Sequence, residues 1–128
     1  MAKILAVDDD ADILNLVLSR VRSHGHQVAG AASAQEALEV VETRGAPDLV
    51  VLDVSMPGMT GFELLTELRG QAGLAELPAI FLSARVLPED VEKGRALGAT
   101  YLTKPFVTSA LVDAIRRALA PAEPVDTW

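Results

Sequence analysis

The stretch LVVLDVSMPG, residues 49–58, decides the fold of this chain. Four apolar residues typical of a fully buried parallel strand run into the carboxylate of Asp53, and the chain then turns at Met56-Pro57-Gly58. Ligands of an open α/β sheet bind at the carboxyl edge of its strands, so Asp53 stands where a site would form. Alternatively, Asp53 only closes the following loop through an Asx turn. The strand by itself does not decide between a site and a cap.

Composition limits the class of protein. With 128 residues, 50% of them hydrophobic and 23% charged, the chain has the size and apolar content of one globular domain. Eighteen acidic against eleven basic residues give a net charge of −7, which argues against direct binding of nucleic acid or an anionic membrane and favours protein partners. There is no cysteine for a disulfide or a thiolate metal site, and there is no apolar run of membrane-spanning length. We therefore expect a cytoplasmic protein.

Strand and helix patterns alternate along the whole chain. Apolar runs predict the other four strands at Lys3–Val7, Gln27–Ala31, Pro78–Leu82 and Thr100–Thr103. Apolar residues at helical spacing follow each strand and predict five helices. Because parallel crossovers are right-handed, this alternation predicts a doubly wound α/β fold, with a flavodoxin-like five-stranded parallel sheet in the order 2-1-3-4-5. We assign residues 1–120 to this domain and residues 121–128 to a flexible C-terminal tail or the start of a linker.

Local signals predict how several helices begin and how stable they are. Asp10 and Asp12 are expected to cap the first helix and to complement its dipole. Ser33-Ala34-Gln35-Glu36 predicts a capping box at the second helix. Gly94 lies inside the fourth helix, predicted from Pro88 to Leu97, and costs about 1 kcal/mol relative to alanine. The fourth helix is therefore expected to be the least stable.

The predicted strand order brings acidic residues together. Strands one and three are neighbours at the switch point, so Asp8, Asp9 and Asp53 converge in one crevice, while strands four and five bring Ser83 and Lys104 to the same edge. The repulsion between the adjacent carboxylates of Asp8 and Asp9 requires a cation between them. Clustered carboxylate oxygens suit Mg²⁺, and an aspartate can act as a nucleophile toward a phosphoryl group. Three carboxylates are balanced in charge by Mg²⁺ and Lys104 together.

Four motifs in this order resemble the response-regulator receiver domain of two-component signalling. They are Asp8-Asp9, Asp53 followed by residues 56–63 (MPGMTGFE), Ser83-Ala84, and residues 101–106 (YLTKPF). The resemblance extends from Ile4 to about Leu119. It implies that a histidine kinase or a phosphotransfer protein phosphorylates Asp53, which later loses the phosphate by autodephosphorylation. It also implies a switch rather than an enzyme that turns over a separate substrate.

The resemblance also implies roles for the surrounding residues. Asp9, Asp53 and the backbone carbonyl of Ser55 would hold Mg²⁺, with Asp8 acting through a water molecule. Ser83 and Lys104 would bind the phosphoryl oxygens.

Tyr101 is the candidate for passing the signal on. It lies three residues before Lys104, so the period of two along a strand points the two side chains to opposite faces. We expect the Ser83 hydroxyl to be drawn toward the phosphoryl group, which moves the following loop and frees space for the Tyr101 ring. Helix four, strand five and helix five would then form the surface for a downstream protein, an effector domain or a second copy of the chain.

Three other classes of protein compete with this resemblance. A haloacid-dehalogenase-like phosphatase requires threonine or valine where Asp12 stands, together with late acids that this chain lacks. A flavodoxin-like flavin binder needs a phosphate loop after strand one, where the acids of this chain would repel phosphate. A receiver-like interaction module that is never phosphorylated stays open, and incubation with a small phosphodonor and Mg²⁺ would distinguish it.

Overall fold

The structure is a computed structural model that describes residues 2–71, 73–84 and 87–120. The strands are β1 (Lys3–Val7), β2 (Gln27–Ala31), β3 (Leu49–Leu52), β4 (Ala79–Ser83) and β5 (Thr100–Thr103). The helices are α1 (Ala11–Ser23), α2 (Ala34–Arg44), α3 (Gly61–Arg69), α4 (Pro88–Ala96) and α5 (Thr108–Leu119). The tail predicted for residues 121–128 lies outside the described residues.

The five strands form one parallel sheet in the order β2-β1-β3-β4-β5, which confirms the predicted doubly wound α/β fold. Val7 at the end of β1 pairs with Leu52 at the end of β3, and Leu52 in turn pairs with Phe81. The strand β4 continues two residues beyond this row, to Ser83, which pairs with Thr103. The carboxyl ends of four strands therefore lie side by side at one edge.

Alternation along the strands divides the core between the two faces of the sheet. Leu52 and Phe81 pack with α2 and α3 on one face, whereas Val51 and Ile80 pack with α1 and α5 on the other. All four residues of β3 are buried, because helices cover this central strand on both sides. Double burial explains the unbroken apolar run that precedes Asp53. No helix in the described part of the chain is long and apolar enough to cross a membrane.

Two of the predicted helix starts have different outcomes. The Asp10 carboxylate accepts hydrogen bonds from two backbone amides of the first turn of α1, which confirms its capping role. At α2 the Ser33 hydroxyl accepts from the Glu36 amide at 3.1 Å, as predicted. The Glu36 carboxylate, however, accepts from the Ala32 amide at 3.2 Å instead of from the Ser33 amide. The predicted hydrogen bond from the Ser33 amide to the Glu36 carboxylate was therefore wrong, because the donor is the preceding residue, Ala32.

A complete capping box, which was not predicted from the sequence, begins α3. The Thr60 hydroxyl accepts from the Glu63 amide at 3.2 Å, and the Glu63 carboxylate accepts from the Thr60 amide at 3.0 Å. The hydrogen bonds that the Glu63 carboxylate accepts from the Thr60 amide and then from the Thr60 hydroxyl hold the pKa of Glu63 below its ordinary value. They fix the start of α3 close to the end of β3, where Asp53 lies.

Candidate functional site

Backbone hydrogen bonds position the site residues just beyond the strands that carry them. The amide of Asp53 donates to the carbonyl of Val7 at 2.9 Å, which extends the pairing of β3 with β1 by one residue. The amide of Lys104 donates to the carbonyl of Ser83 at 2.9 Å and so extends the pairing of β5 with β4. The Lys104–Pro105 peptide bond is cis. Rigid sheet geometry therefore holds both an acid and a cation at the same edge.

Three carboxylates converge there, as the predicted strand order requires. Asp8, Asp9 and Asp53 each place one carboxylate oxygen within 4.8 Å of the others. Asp8 and Asp53 are buried, at 4% and 6% exposure, whereas Asp9 is exposed. Clustered carboxylate oxygens are the hard ligands that Mg²⁺ prefers, and an exposed member leaves room for coordinated water. The residues present therefore fit a magnesium ion.

Lys104 is the cation of this cluster. Its Nζ lies 2.7 Å from Oδ2 of Asp8 and 3.6 Å from Oδ2 of Asp53. Lys104 follows β5 and lies between Asp8 and Asp53, whereas the cation expected between Asp8 and Asp9 stays a prediction. The other oxygen of Asp8 accepts from the Asp10 amide at 2.9 Å. Three carboxylates against one lysine leave an excess of two negative charges.

Burial and the neighbouring charges shift the pKa values of Asp53 and Lys104. Burial, followed by the charge of Asp8, raises the pKa of Asp53 from 3.8 to about 6, although Lys104 and the Ser55 amide oppose the rise. Burial by itself would lower the pKa of Lys104, but the hydrogen bond to Asp8 and the two nearby carboxylates hold it above its ordinary value. At neutral pH Asp53 is therefore mainly an ionised carboxylate under repulsion, and Lys104 is charged.

The loop after Asp53 supports both readings of this residue. The Ser55 amide donates to Oδ1 of Asp53 at 3.3 Å, so the side chain closes the loop as an Asx turn and also belongs to the acid cluster. Ser55 is exposed, and the proposed role of its carbonyl as a metal ligand stays a prediction.

Gly61, which the sequence analysis did not single out, sets the position of the same loop. Its amide donates to the Val54 carbonyl at 2.9 Å, and a Cβ built on it would lie 2.2 Å from the backbone oxygen of Asp53. Only glycine permits so close an approach. The glycine directly after the capping threonine, at the first position of the helix, is the signal that could have indicated it.

The two remaining predicted residues, Ser83 on β4 and Tyr101 on β5, face the same side of the sheet, because Ser83 lies two residues beyond Phe81, which pairs with Tyr101. Ser83 is fully buried at the end of β4, and its backbone carbonyl accepts the hydrogen bond from the Lys104 amide. Tyr101 is half-buried and packs with the core on the α3 side, with its ring centroid 6.2 Å from that of Phe81. Tyr101 is therefore outside the acid cluster, as the strand period predicted.

A buried aspartate beside a lysine and two further acids can act as a nucleophile. Its ionised oxygen can attack an electrophilic phosphorus, provided that cations neutralise the charge on the transferred oxygens. Lys104 supplies one such cation, and the acid cluster can hold the second. The roles of the individual residues in such a reaction stay predictions.

Known proteins share this arrangement. The family described as the response regulator receiver domain matches residues 4–116. The transcriptional regulatory protein PrrA of Mycobacterium tuberculosis is 38% identical over 118 residues, which are 91% of this chain but 49% of PrrA. The protein PilH of Pseudomonas aeruginosa is 32% identical over 121 residues, which are 94% of this chain and 99% of PilH. The chain thus spans about half the length of PrrA and nearly all of PilH.

Solved structures give the same result in three dimensions. The chemotaxis protein CheY4 of Vibrio cholerae superimposes with a TM-score of 0.86 at 38% sequence identity, covering 93% of this chain and 99% of that one. At this identity the likeness extends beyond the fold to the family. The matched residues include both the acid cluster and Lys104. This chain belongs to the response regulator receiver domain family of two-component signalling.

Proposed function

We propose that this chain is a phosphoacceptor switch in which a histidine kinase or a phosphotransfer protein phosphorylates Asp53 in a Mg²⁺-dependent reaction. The observation that carries the proposal is the convergence of Asp8, Asp9 and Asp53 within 4.8 Å, with Lys104 Nζ 3.6 Å from the acceptor. An oxygen of Asp53 attacks the phosphorus of the phosphohistidine, the phosphorus–nitrogen bond breaks, and the imidazole leaves with the electron pair. Water later hydrolyses the acyl phosphate, so no separate substrate is turned over.

The residues divide between holding the metal and holding the phosphoryl group. Asp9 is exposed, and Asp53 faces it, so these two carboxylates and the Ser55 carbonyl are the proposed Mg²⁺ ligands. Both oxygens of Asp8 already accept hydrogen bonds, which favours a contact through water. When bound, Mg²⁺ would neutralise charge on the phosphoryl oxygens. Lys104 and the Ser83 hydroxyl would bind the remaining oxygens.

The acceptor is tested by intact mass spectrometry after treatment with a small acyl phosphate and Mg²⁺. We expect one added phosphoryl group in the wild type and in Asp12→Asn, an exposed acid of α1 that serves as the matched control. We expect none in Asp53→Asn. Phosphate that persists in Asp53→Asn would contradict the acceptor assignment, and an unlabelled wild type would favour the module that is never phosphorylated.

Metal binding is tested on two neighbouring acids of the same loop. Asp9→Ala is expected to weaken Mg²⁺ binding by about tenfold or more, whereas Asp10→Ala should leave it unchanged, because Asp10 caps α1. Asp10→Ala should instead cost about 1 kcal/mol of stability through loss of the cap. A Mg²⁺ titration followed by thermal unfolding measures both effects, and equal loss of affinity would refute the division.

The proposed output surface consists of α4, β5 and α5. Phosphorylation would draw the Ser83 hydroxyl toward Asp53 and change the space available to the Tyr101 ring, which packs beneath α4. The partner would be a downstream protein, an effector domain or a second copy of this chain. Because the chain spans about half of PrrA, a transcriptional regulator, an effector domain in the same polypeptide is one form of that partner.

The net charge of −7 argues against direct contact of this domain with nucleic acid or an anionic membrane. We propose a cytoplasmic location, where such kinases present their phosphohistidine.

A further inference from the structure

Gly94 lies in the last turn of α4 and is buried against the ring of Tyr101. A Cβ built on Gly94 would lie 2.9 Å from Cδ2 of Tyr101 and 3.4 Å from Cδ2 of Phe81. Separations below 3.0 Å are not tolerated by real side chains, so either the ring or the helix would have to move. The helix therefore rests directly on the edge of the tyrosine ring, with no side chain between them.

The same helix also touches the other end of a row of aromatic rings. Phe62 of α3 packs edge-on against Phe81, with centroids 4.9 Å apart, and Phe81 is followed by Tyr101 at 6.2 Å. Lys93, the neighbour of Gly94, places Nζ 5.4 Å from the centroid of Phe62. The row begins next to Gly61, which contacts the backbone of Asp53, and so connects the acceptor loop to α4.

The two ends of α4 are held differently. The carbonyl of Leu97, which ends the helix, accepts a hydrogen bond from the guanidinium of Arg69, and the same guanidinium donates to the Leu77 carbonyl at 2.8 and 3.1 Å. At the other end the capping position is Leu87, whose side chain has no hydrogen-bonding atom and is 53% exposed. Arg69 thus fastens the end of the helix nearest Gly94, whereas the residue at the capping position of the other end makes no side-chain hydrogen bond to the helix.

We propose that Gly94 is the positioning residue that couples the place of α4 to the position of the Tyr101 ring. This inference rests on the proposed function, in which phosphorylation of Asp53 changes the space around Tyr101. With glycine at position 94, ring and helix share one contact, so the ring cannot move toward the helix unless the helix shifts. A side chain at this position would hold them apart and would separate the output surface from the acceptor.

The contact itself is tested without phosphorylation by a double-mutant cycle. Gly94→Ala would raise stability at an unstrained helical position, because alanine favours the helix. We expect Gly94→Ala to lower the urea midpoint of the wild type and to raise it in a Tyr101→Ala background, where the ring is gone. A change of equal sign and size in both backgrounds would overturn the contact.

The coupling is tested with the side chain of Tyr101, which is the only tyrosine of the chain. Labelling with 3-fluorotyrosine therefore reports this residue alone by fluorine NMR. Addition of beryllofluoride and Mg²⁺ should move the wild-type resonance. In Gly94→Ala the resonance should already be displaced at rest, and its further movement should fall by at least half, while acyl phosphate still labels Asp53 within twofold of the wild-type extent.

Arg95→Ala is the matched control, because Arg95 is the exposed neighbour of Gly94 on the same helix. It should respond to beryllofluoride like the wild type. An unaltered response in Gly94→Ala would overturn the inference while leaving the proposed function intact. If the wild-type resonance does not respond to beryllofluoride and acyl phosphate does not label Asp53, the proposed function is overturned. The coupling proposed here then falls with it. The double-mutant cycle in urea would still decide whether Gly94 and Tyr101 are in contact.

Discussion

The helices α3 and α4 have the same length of nine residues, but they are held in opposite ways. A complete capping box starts α3, and it buries Gly61, Phe62, Leu64, Leu65 and Leu68. The capping position of α4 is an exposed leucine, and its buried residues are Asp90 and Gly94. One helix is anchored by large apolar side chains, whereas the other rests on the sheet through a glycine.

This difference matches the two tasks proposed for the domain. The acceptor loop must keep its carboxylates within 4.8 Å of one another, and α3 is fixed to that loop through Gly61. The output surface must adopt two arrangements that differ by only a few kcal/mol, and a helix with few buried contacts satisfies this requirement. The proposed function thus assigns the firmly capped helix α3 to the acceptor side and α4, which buries few residues, to the output surface.

Core truncation should separate the two helices most strongly. Leu65→Ala in α3 removes a fully buried side chain and is expected to lower the free energy of unfolding by about 2–5 kcal/mol. Val91→Ala removes a half-buried side chain of α4 and should lower it by about 1 kcal/mol or less. Urea unfolding measures both variants. Comparable losses would show that α4 is anchored as firmly as α3.

The rigid side should also carry an electrostatic cost that depends on pH. Because the pKa of Asp53 is about 6 when folded and 3.8 when unfolded, the folded state binds more protons between these values. The contribution of Asp53 to the free energy of unfolding therefore falls by at most about 3 kcal/mol as pH rises from about 4 to about 6, and above that it stays level. Asp53→Asn should remove this loss. Without Mg²⁺ the variant should therefore be more stable than the wild type at pH 7, and the difference in unfolding free energy between them should shrink at pH 4. An advantage of the same size at both pH values would contradict the assignment of the pKa.

Loss of the cap at α3 is expected to have an intermediate effect. Thr60→Ala breaks the bond between its hydroxyl and the Glu63 amide and should lower the free energy of unfolding by about 1 kcal/mol. The pKa of Glu63 should rise toward its ordinary value, which a carboxyl NMR titration would detect. Leu87→Ala at the equivalent position of α4 is the control and should stay within about 0.5 kcal/mol of wild type.

The smallest effect should come from giving α4 a cap that it lacks. The backbone of Leu87 is extended, at φ −65° and ψ 141°, and is thus ready for a capping side chain. Leu87→Ser should raise the free energy of unfolding by about 0.5–1 kcal/mol. Amide exchange in the first turn of α4 should slow accordingly, and unchanged exchange would show that this end of the helix is already fixed by other contacts.

Much of the fold could be read from local patterns. Unbroken apolar runs for the strands, helices with capping residues, and right-handed crossovers leave few arrangements, and the order β2-β1-β3-β4-β5 is the one observed. The same order required Asp8, Asp9 and Asp53 to meet, since Asp8 and Asp53 directly follow neighbouring strands and Asp9 is one residue further on. The predicted weakness of α4 stays a prediction, but Gly94 has a packing role that the helical propensity of glycine did not indicate.

The sequence by itself thus determined the class of fold, the edge at which the site lies and the residues that reach it, because periodicity and strand ends are local properties. Only the tertiary structure decided which partners these residues take. Lys104 pairs with Asp8, which is 96 positions away in the chain, and Glu36 bonds to Ala32 instead of Ser33. The close approaches of Gly61 to Asp53 and of Gly94 to Tyr101 are decided in the same way. Such contacts depend on separations of a few ångström between packed elements, and these separations follow from how the whole core fits together.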